Sequence, residues 1–396
     1  MNILSTNQLV NILKNDHQPL EYHFSMNKTP KSIMITGANG FLAQQLISKL
    51  ISLVEVETIY CLVRDISNFS LSHSKIHPIK YLGLESFELN NHDIDDYLNK
   101  TDCFIHCAAQ VHNIKSVNSL YQSNINFSYQ ILNKIKDMKL SLSFHLISTL
   151  SVYASSANGL DKYEHNQFEK EDAPNQLIIP NDNHKIIGGY AQSKWLSEYL
   201  FSNTNAHIIR LGLLTPDYHN PKFNENEFLT MLTQLIIKTG AIPFESDEEY
   251  YHISKNTLVD ITPVNFAAQF ISDLISSRYQ TPYKEKTIPS ISHIANHISM
   301  SLFQMTNIIQ EYSNIKLFNF RKDKWFEHLN ELGLSTIEKK LLEQTFFRNE
   351  VSQSNYKYFN IDLFQSSLYN WSQSNKAGDL PTSPHIFHQY LKEHYV

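Results

Sequence analysis

Short apolar runs alternate with segments of helical periodicity from residue 32 to about residue 275. The first run, Ser32–Thr36, is rich in β-branched and apolar side chains, which is typical of a buried parallel strand. Phe41–Ile51 then carries apolar residues at helical spacing. Further strands are predicted at 58–63, 75–82, 103–107, 143–148 and 207–211, further helices at about 117–138 and 190–201, and a short strand and helix at 258–275. Strands that alternate with helices predict an α/β fold built on a doubly wound parallel sheet.

The rest of the chain has a different pattern. Residues 1–30 are a polar lead-in with one helix predicted at Thr6–Lys14. We assign 31–281 to a nucleotide-binding domain, within which 212–257 contribute to the substrate site. After that, aromatic and helical pieces follow without a sustained period, so 282–396 is predicted to be a smaller, mainly helical part that binds substrate. A chain of 396 residues is long enough for both parts.

The composition excludes several classes of protein. The net charge is −6 and 18% of the residues are charged, which gives no general attraction for nucleic acid or anionic membranes. No apolar run approaches the ~18 to 20 residues of a membrane span, and the first residues lack the basic start and cleavage site of a signal peptide. We therefore expect a soluble cytoplasmic protein that does not bind nucleic acid. The sequence leaves its oligomeric state open.

Three cysteines, Cys61, Cys103 and Cys107, are too few for a disulfide framework. Cys103, His106 and Cys107 lie close enough in sequence to suggest a metal site. Strand alternation, however, places His106 on the face opposite the two cysteines. We therefore predict buried thiols and no metal.

A glycine turn joins the first strand to the first long helix. Gly37 takes the backbone angles of that turn, Gly40 has no side chain to hold a pyrophosphate away, and Ala43 lets the helix pack on the strand. The free N–H groups and the positive dipole end of the helix then face the phosphates. Other strand-turn-helix units can show the same GxxGxxA pattern, but its place between this strand and this helix favours a nucleotide site.

Arg64 ends the second predicted strand, where sheets of this kind bind the adenosine ribose of a dinucleotide. A carboxylate at that position would bind the 2′-hydroxyl of NAD, whereas an arginine favours the 2′-phosphate of NADP. Asp65 follows directly, so NAD stays open, but the position favours NADP.

Small residues and hydroxyls follow two later strands. Ala108, Ala109 and Val111 come after the strand at 103–107, where such residues let the main chain lie against a cofactor. Close helix packing would need the same residues. Thr149 follows the strand at 143–148 and brings a hydroxyl to the same edge of the sheet.

Tyr190 and Lys194 are four residues apart on one predicted helix and therefore share a face. An ammonium within ~4 to 6 Å favours the phenolate and would lower the tyrosine pKa from about 10 by roughly 1 to 3 units, which makes a usable proton donor. Tyrosine and lysine have the same spacing at 218/222, 251/255 and 312/316, so context decides. The 190/194 pair follows a hydroxyl-bearing strand end, where Thr149 would be a further donor to a carbonyl oxygen.

Six segments resemble, in order, the extended short-chain dehydrogenase/reductases, and among them the thioester reductase domains of nonribosomal peptide synthetases, polyketide synthases and carboxylic acid reductases. These segments are TGANGFLA, IYCLVR, FIHCAAQV, ISTLSVY, GGYAQSKWLSE and VDITPVNFAAQFI. The resemblance implies a Rossmann-type fold and catalytic roles for Thr149, Tyr190 and Lys194. It also implies that Asn124 orders the site through its helix. The resemblance and the strand-end pattern together predict these residues for NADPH binding: Thr36, Gly37, Asn39, Gly40, Phe41, Leu42, Arg64, Ala108, Ala109, Val111, Asn124, Tyr190 and Lys194.

The resemblance implies an NADPH-dependent reductase, which we expect to be stand-alone. It would release an acyl thioester, carried by the phosphopantetheine of a carrier protein or by coenzyme A, as an aldehyde, with onward reduction to the alcohol left open. Because the first 30 residues cannot hold a carrier domain, we expect a separate protein to deliver any carrier-bound substrate. The alternatives are a carbonyl reductase, a nucleotide-sugar epimerase or dehydratase of the same fold, and a non-catalytic protein that senses NADPH.

The sequence departs from these relatives at two places. Tyr81 and Leu82 stand where Gly-Asp usually approaches the adenine, so the adenine contacts are expected to differ. Leu211 and Leu213 stand where proline and arginine are usual, at a strand end near the nicotinamide and substrate.

Overall fold

The structure is a computed structural model. It describes residues 3–13, 17–25, 29–80, 92–112, 114–154, 177, 180, 182, 185–219, 228–256, 258–276, 288–346, 367–375 and 380–395. The strands within these ranges are β1 (Ile3–Ser5), β2 (Ser32–Thr36), β3 (Thr58–Val63), β4 (Ile76–Lys80), β5 (Cys103–His106), β6 (Ser143–Thr149), β7 (Lys185–Ile187), β8 (His207–Leu211), β9 (Leu213–Thr215), β10 (Ala241–Ile242), β11 (Leu258–Val259), β12 (Ile261–Pro263), β13 (Ser290–Ile294), β14 (Met300–Ser301) and β15 (Phe318–Asn319). The helices are α1 (Thr6–Val10), α2 (Phe41–Leu50), α3 (His92–Leu98), α4 (Phe127–Asp137), α5 (Ser151–Ala154), α6 (Gly189–Leu200), α7 (Phe228–Thr239), α8 (Asp247–Asn256), α9 (Val264–Ile275), α10 (Leu302–Ser313), α11 (Lys322–Glu331), α12 (Thr336–Phe346), α13 (Ser367–Asn375) and α14 (Ser383–Tyr395).

A sheet of seven parallel strands organises the fold, in the order β13-β8-β6-β5-β2-β3-β4. From β2 the chain builds outward through β3 and β4 and then returns to the other side of β2 with β5, so the strand order reverses there. At this reversal Thr36 lies between Leu62 of β3 and His106 of β5. Ligands of such sheets bind at the carboxyl ends of the strands beside the reversal. The order confirms the predicted Rossmann-type, doubly wound parallel sheet.

The chain packs into two compact units. Unit 1 consists of residues 1–211 and 265–294, and unit 2 consists of 212–264 and 295–396. Unit 1 contains the seven-stranded sheet. The functional division of the sequence at residue 282 stays a prediction.

The N-terminal segment is joined to the rest of unit 1 by main-chain bonds. β1 pairs antiparallel with β7, which leads into the helix that carries Tyr190. The side-chain amide of Asn205 forms two hydrogen bonds with the main chain of Phe24. It accepts the N–H at 2.6 Å and donates to the carbonyl at 2.8 Å. The predicted helix at Thr6–Lys14 is shorter in the structure and ends at Val10.

The helix predicted at about 117–138 consists of three pieces. A 3₁₀ turn covers Asn118–Leu120, a π-helical turn covers Tyr121–Asn126, and α4 follows. Polar side chains bond to the backbone here: the Ser128 hydroxyl donates to the main-chain carbonyl of Asn124 at 2.7 Å. Such bonds compete with regular α-helical pairing, which periodicity alone does not reveal.

Unit 2 is mainly helical with short strand pairs, and its part at 295–396 lies within the segment 282–396 for which a mainly helical structure was predicted. Its apolar core is built from α7, α10, α11, α12 and α14. Trp325 is 0% exposed in this core and donates its indole N–H to the carbonyl of Ala241 at 3.3 Å. Phe318, in contrast, is 59% exposed. The aromatic residues of 282–396 therefore divide into core and surface positions.

Candidate active site

The glycine turn lies at the carboxyl end of β2, beside the reversal of strand order. Gly37 has a φ of +66°, and a Cβ built on it would lie 2.9 Å from the Cα of Ala108. A Cβ on Gly40 would lie 2.9 Å from the carbonyl oxygen of Gly37. Among the described residues, no side chain caps the N-terminus of α2. The turn therefore fits a pyrophosphate, which the free N–H groups and the helix dipole would attract.

The other predicted residues of the turn differ in their environment. Asn39 is exposed and donates its amide to the Asp65 carbonyl at 3.5 Å, which joins the turn to the end of β3. Phe41 is 38% exposed at the start of α2. Leu42 is buried, and we therefore expect it to support the turn by packing.

Thr36 links the turn to strand β5. Its hydroxyl accepts the Ala108 N–H at 3.1 Å and bonds to Nδ1 of His106 at 2.8 Å. Nε2 of His106 bonds to the Ser128 hydroxyl at 3.0 Å. Burial, together with the charge of Lys194, lowers the pKa of His106 to about 3, so the imidazole is neutral at physiological pH. This line of bonds holds Ala108 against the glycine turn.

Arg64 is exposed at the carboxyl end of β3. The carboxylate of Asp65 turns toward its own chain: it accepts the Ser67 N–H at 2.9 Å and the Asn68 amide at 2.9 Å. The bond that it accepts from the Ser67 hydroxyl at 2.8 Å and the bond from the Ser67 N–H, with the charge of Lys80, hold the pKa of Asp65 below its usual value. Asp65 is thus engaged in a turn, and the cations Arg64 and Lys80 lie at the strand ends beside it.

Asn124 ties the segment after β5 to α6. Its side chain accepts the Gln110 N–H at 2.7 Å and donates to the Gln110 carbonyl at 3.1 Å. It also donates to the Ser193 hydroxyl at 2.9 Å, which in turn donates to the Tyr190 carbonyl at 2.8 Å. Ala109 is half-buried and Val111 is 67% exposed on either side of Gln110. The structure therefore brings Asn124 and Tyr190 together through Ser193, a residue that sequence reasoning missed.

Two glycines open the helix that carries Tyr190. Gly188 has a φ of +88°, and a Cβ there would meet nothing within 4 Å. A Cβ on Gly189 would lie 2.2 Å from the main-chain oxygen of Lys115. The segment at 115–117 therefore lies against the bare Gly189 backbone, which fixes where the first turn of α6 sits.

Tyr190 and Lys194 share a face of α6, as predicted, but the expected effect on the tyrosine is wrong. Burial raises the pKa of Tyr190 to about 12 instead of Lys194 lowering it. Nζ of Lys194 donates to the main-chain carbonyl of Ile147 at 2.7 Å. Burial lowers the pKa of Lys194 to about 8, against the opposing influence of Glu198 and Cys107. With a pKa of about 12, the Tyr190 phenol is fully protonated at neutral pH, as a proton donor must be before it reacts.

Thr149 is the last residue of β6, two residues beyond the carbonyl that Lys194 binds. Its hydroxyl donates to the Ser151 hydroxyl at 3.1 Å and accepts the Ser151 N–H at 3.1 Å. Ser151 is partly buried at the start of α5, and no catalytic role was predicted for it. A second hydroxyl therefore lies beside the predicted one.

A buried ion pair beside Lys194 was also missed. Arg210 on β8 binds Glu198 on α6, with Nη2 of the arginine 2.5 Å from Oε2 of the carboxylate. The signal in the sequence was the helical spacing of 190, 194 and 198, which places all three side chains on one face.

The two departures from the sequence relatives have different outcomes. Tyr81 and Leu82 lie outside the described residues. Leu211 ends β8 and is buried in unit 1, whereas Leu213 begins β9 in unit 2.

Within the described ranges, no group of three or more His, Cys, Asp or Glu side chains is placed to hold a metal ion. Likewise, no described helix has the length and apolar character to cross a bilayer.

The reversal of strand order, with its glycine turn at the carboxyl end of β2, defines a Rossmann-type dinucleotide-binding protein. The chain belongs to the NAD-binding family described as Male sterility protein, whose model matches residues 35–76 and 67–271. Membership implies a nicotinamide cofactor.

Similar curated proteins are large synthetases. The hybrid PKS-NRPS synthetase pydA of Acremonium sp is 30% identical over 205 residues, which make up 50% of this chain and 4% of that protein. Fusarin C synthetase of Gibberella moniliformis is 24% identical over 328 residues, which make up 81% of this chain and 8% of that protein. The chain therefore spans only a small part of the length of these relatives.

Similar solved structures are reductase domains. The terminal R domain from the myxalamid PKS-NRPS biosynthetic pathway has a TM-score of 0.70 and 19% identity, and the match covers 98% of this chain and 97% of that one. A thiolation-reductase di-domain from an archaeal non-ribosomal peptide synthetase has a TM-score of 0.65 and 18% identity, with 98% and 78% covered. The fold is thus shared across both units, and the resemblance seen in the sequence is confirmed.

Proposed function

We propose that the protein is an NADPH-dependent thioester reductase that releases an acyl group as an aldehyde. The observation that carries this proposal is the fold shared with a terminal reductase domain over 98% of the chain, which includes unit 2 as well as the cofactor-binding unit. The names of the synthetases that match the sequence support the same class of substrate.

The reaction assigns one role to each catalytic residue. NADPH, when bound, supplies the hydride that reduces the thioester carbonyl carbon. Tyr190 donates its phenolic proton to the carbonyl oxygen as negative charge develops there, and the Thr149 hydroxyl donates a hydrogen bond to the same oxygen. Lys194 binds the nicotinamide ribose through its ammonium, which also donates to the main-chain carbonyl of Ile147.

The second step restores the tyrosine. The hemithioacetal returns its hydroxyl proton to the Tyr190 phenolate, its C–S bond breaks, and the thiolate leaves and takes a proton from solvent. The balance is one thioester, one NADPH and one proton converted to one aldehyde, one thiol and one NADP⁺. A further two-electron reduction to the alcohol would need a second NADPH.

Three features of the structure support NADPH over NADH. Arg64 is exposed at the ribose position, and Lys80 lies close enough to influence the pKa of Asp65. The Asp65 carboxylate, which would favour the free 2′-hydroxyl of NAD, is bonded to Ser67 and Asn68 instead. The charges therefore favour a 2′-phosphate.

We assign the binding of the acyl group and of its carrier to unit 2 and to the segment 282–396. The thioester would be delivered on the phosphopantetheine of an acyl carrier protein or as an acyl-coenzyme A. Delivery by a separate protein and a cytoplasmic location stay predictions from the sequence.

The decisive experiment is an NADPH oxidation assay against a panel of acyl-coenzyme A and acyl-carrier thioesters, with products identified by mass spectrometry. We expect an aldehyde and a free thiol in equal amounts. Tightly retained NAD in the purified protein, with turnover of nucleotide sugars and none of thioesters, would replace this proposal by an epimerase or dehydratase. Turnover of free ketones or aldehydes alone would indicate a carbonyl reductase.

A further inference from the structure

Two charged side chains lie in the interior of unit 1 next to Lys194. Glu198 and Arg210 are each 0% exposed. Nε of Arg210 donates to both carboxylate oxygens, at 3.0 and 3.2 Å, and Nη2 donates to Oε2 at 2.5 Å. The Ser148 hydroxyl donates to Oε1 at 2.5 Å. The carboxylate is therefore held from two neighbouring strands at once.

Stability alone does not account for this arrangement. Moving two charges out of water carries a large desolvation cost, which their attraction repays only in part. Apolar residues of similar volume are often at least as stable in such a place. The buried pair is therefore a candidate for a role in the reaction.

The contacts of α6 with β6 indicate what that role is. Lys194 donates to the carbonyl of Ile147, and the next residue, Ser148, donates to Glu198. The residue after that is Thr149, the last of the strand. On the helix, Tyr190, Lys194 and Glu198 follow one another at intervals of four. Two successive strand residues are thus bound by two successive turns of the helix.

Among the described groups around this contact, His106 of β5 senses the charge of Lys194, and because burial and that charge lower its pKa to about 3 its imidazole is neutral. Burial lowers the pKa of Lys194 to about 8, and the Glu198 carboxylate is the larger of the two influences that oppose this fall, Cys107 being the other. On the far side, Nη1 of Arg210 lies 3.5 Å from Nε2 of His293. Burial and the Arg210 charge hold the pKa of His293 well below its usual value, so that imidazole is neutral.

We propose that Glu198 is a positioning residue of the reaction, which binds β6 to α6 beside Thr149 and holds a negative charge one helical turn from Lys194. It touches neither substrate nor cofactor and acts through Lys194 and Ser148. The inference rests on the proposed function, because the reaction is what the two positioned residues serve.

The test replaces both charges together, as Glu198→Leu with Arg210→Met. Removal of Glu198 alone would leave a buried arginine that has lost its carboxylate, whereas the double replacement removes both charges and keeps the volume. We expect a melting temperature at or above that of the parent, with thioester turnover lowered about ten-fold or more through misplacement of the reacting groups.

The pH profile separates positioning from a merely structural role. Lys194 works as the ammonium, and loss of the carboxylate lets its proton leave at lower pH. The basic limb of kcat/KM should therefore move to lower pH in the double variant, and it should stay in place in Ser148→Ala, which removes one hydrogen bond and no charge. A folded double variant with the turnover and the basic limb of the parent would overturn the proposal.

A matched control is available in the same unit. Asp95 of α3 and Lys134 of α4 form another ion pair at 2.7 Å, with both side chains about a quarter exposed. The double change Asp95→Leu with Lys134→Met should keep both the turnover and the pH profile of the parent. Equal effects in the two double variants would mean that loss of any charge pair perturbs the enzyme, and the proposal would fail.

A second readout does not depend on thioester reduction. The Leu150 N–H donates to the Leu211 carbonyl at 2.8 Å, next to Thr149 and Arg210. Amide hydrogen exchange at 147–150 should be faster in the Glu198/Arg210 variant than in the parent, while exchange in β2 and β3 is unchanged. Absence of thioester reduction by the parent would reject the proposed function. Unchanged hydrogen exchange at 147–150 in the Glu198/Arg210 variant would overturn the positioning role.

Discussion

The side-chain amide of Asn124 bonds to both polar groups of the Gln110 main chain: it accepts the N–H at 2.7 Å and donates to the carbonyl at 3.1 Å. We expect Asn124→Ala to release this segment and to weaken NADPH binding about ten-fold, since each lost hydrogen bond contributes roughly 0.5 to 1.5 kcal/mol. Titration calorimetry would measure the change.

The control for this variant lies on the same helical turn. Asn126 bonds to His17 at 2.7 Å and to Gln122 at 2.7 Å, so Asn126→Ala loses two hydrogen bonds where Asn124→Ala loses three, two to Gln110 and one to Ser193. Its NADPH affinity should stay at the parent value. Equal losses in both variants would show that Asn124 only stabilises the fold.

Tyr190→Phe removes the proposed proton donor and little else. Turnover should fall by about 10² or more while NADPH binding stays nearly unchanged. Steady-state kinetics with a thioester and a separate binding titration would give the two numbers. Tyr199→Phe is the control on the same helix, where Tyr199 stacks on Trp195 at 5.5 Å. Parent-like turnover in Tyr190→Phe would mean that another group is the acid.

Arg64→Ala should weaken NADPH binding far more than NADH binding, because a charge-assisted contact to the 2′-phosphate is lost. The ratio of the two dissociation constants is the quantity to compare with the parent. Arg321→Ala removes an exposed arginine of unit 2 and should leave the ratio unchanged. If both cofactors bind less tightly to Arg64→Ala by the same factor, its assigned role is rejected.

His145 and His207 are neighbours on β6 and β8 and are both buried, with pKa values lowered by burial to about 4 and about 3. The unfolded chain takes up these protons near pH 6.5 and the folded chain does not, so acid favours unfolding. Each such histidine should make the unfolding free energy fall by about 1.4 kcal/mol per pH unit between pH 6.5 and its own folded pKa.

The variant His145→Leu tests this dependence. Denaturant unfolding between pH 7 and pH 4.5 should show a shallower loss of stability in the variant than in the parent, by about one proton's contribution. His385→Leu replaces an exposed histidine and is the control. An unchanged slope in His145→Leu would mean that His145 titrates alike in the folded and unfolded chain.

Trp325→Ala should lower the unfolding free energy by about 3 to 5 kcal/mol, because it leaves a large cavity in the core of unit 2. Phe318→Ala, at a 59% exposed position, should change it by only about 0.5 kcal/mol. The preference among acyl chains, measured as ratios of kcat/KM, should be unaffected by Trp325→Ala. A changed preference with intact stability would place Trp325 in the acyl site.

Much of the sheet could be predicted because buried parallel strands are short, continuous apolar runs. The bounds of β3 and β8 agree with the sequence to the residue. The π-helical turn could not be predicted, since the periodicity of 117–138 does not mark it, and the bonds of Asn124 to Gln110 and of Ser128 to His106 join residues that are distant along the chain. Nor does local periodicity say that 265–294 packs with the first 211 residues, because packing partners are distant along the chain.

Features of the site could be predicted where the spacing of residues along one helix or strand determines which side chains lie together. They could not be predicted where burial, or contacts between distant parts of the chain, determines the geometry or the pKa. Helical spacing placed Tyr190 and Lys194 on one face. The same spacing gave the wrong direction for the tyrosine pKa, because burial dominates it. The Glu198–Arg210 pair joins a helix to a strand, and only the fold brings those charges into contact.

The π-helical turn at Tyr121–Asn126 has a consequence for chain length. Such a turn holds one residue more than an α-helical turn, and each residue of a helix rotates the chain by about 100°. Removal of any one residue between 121 and 126 would restore regular spacing and turn the Asn124 amide away from Gln110 or the Ser128 hydroxyl away from His106. Related sequences that keep this site should therefore differ here by substitution and not by insertion or deletion.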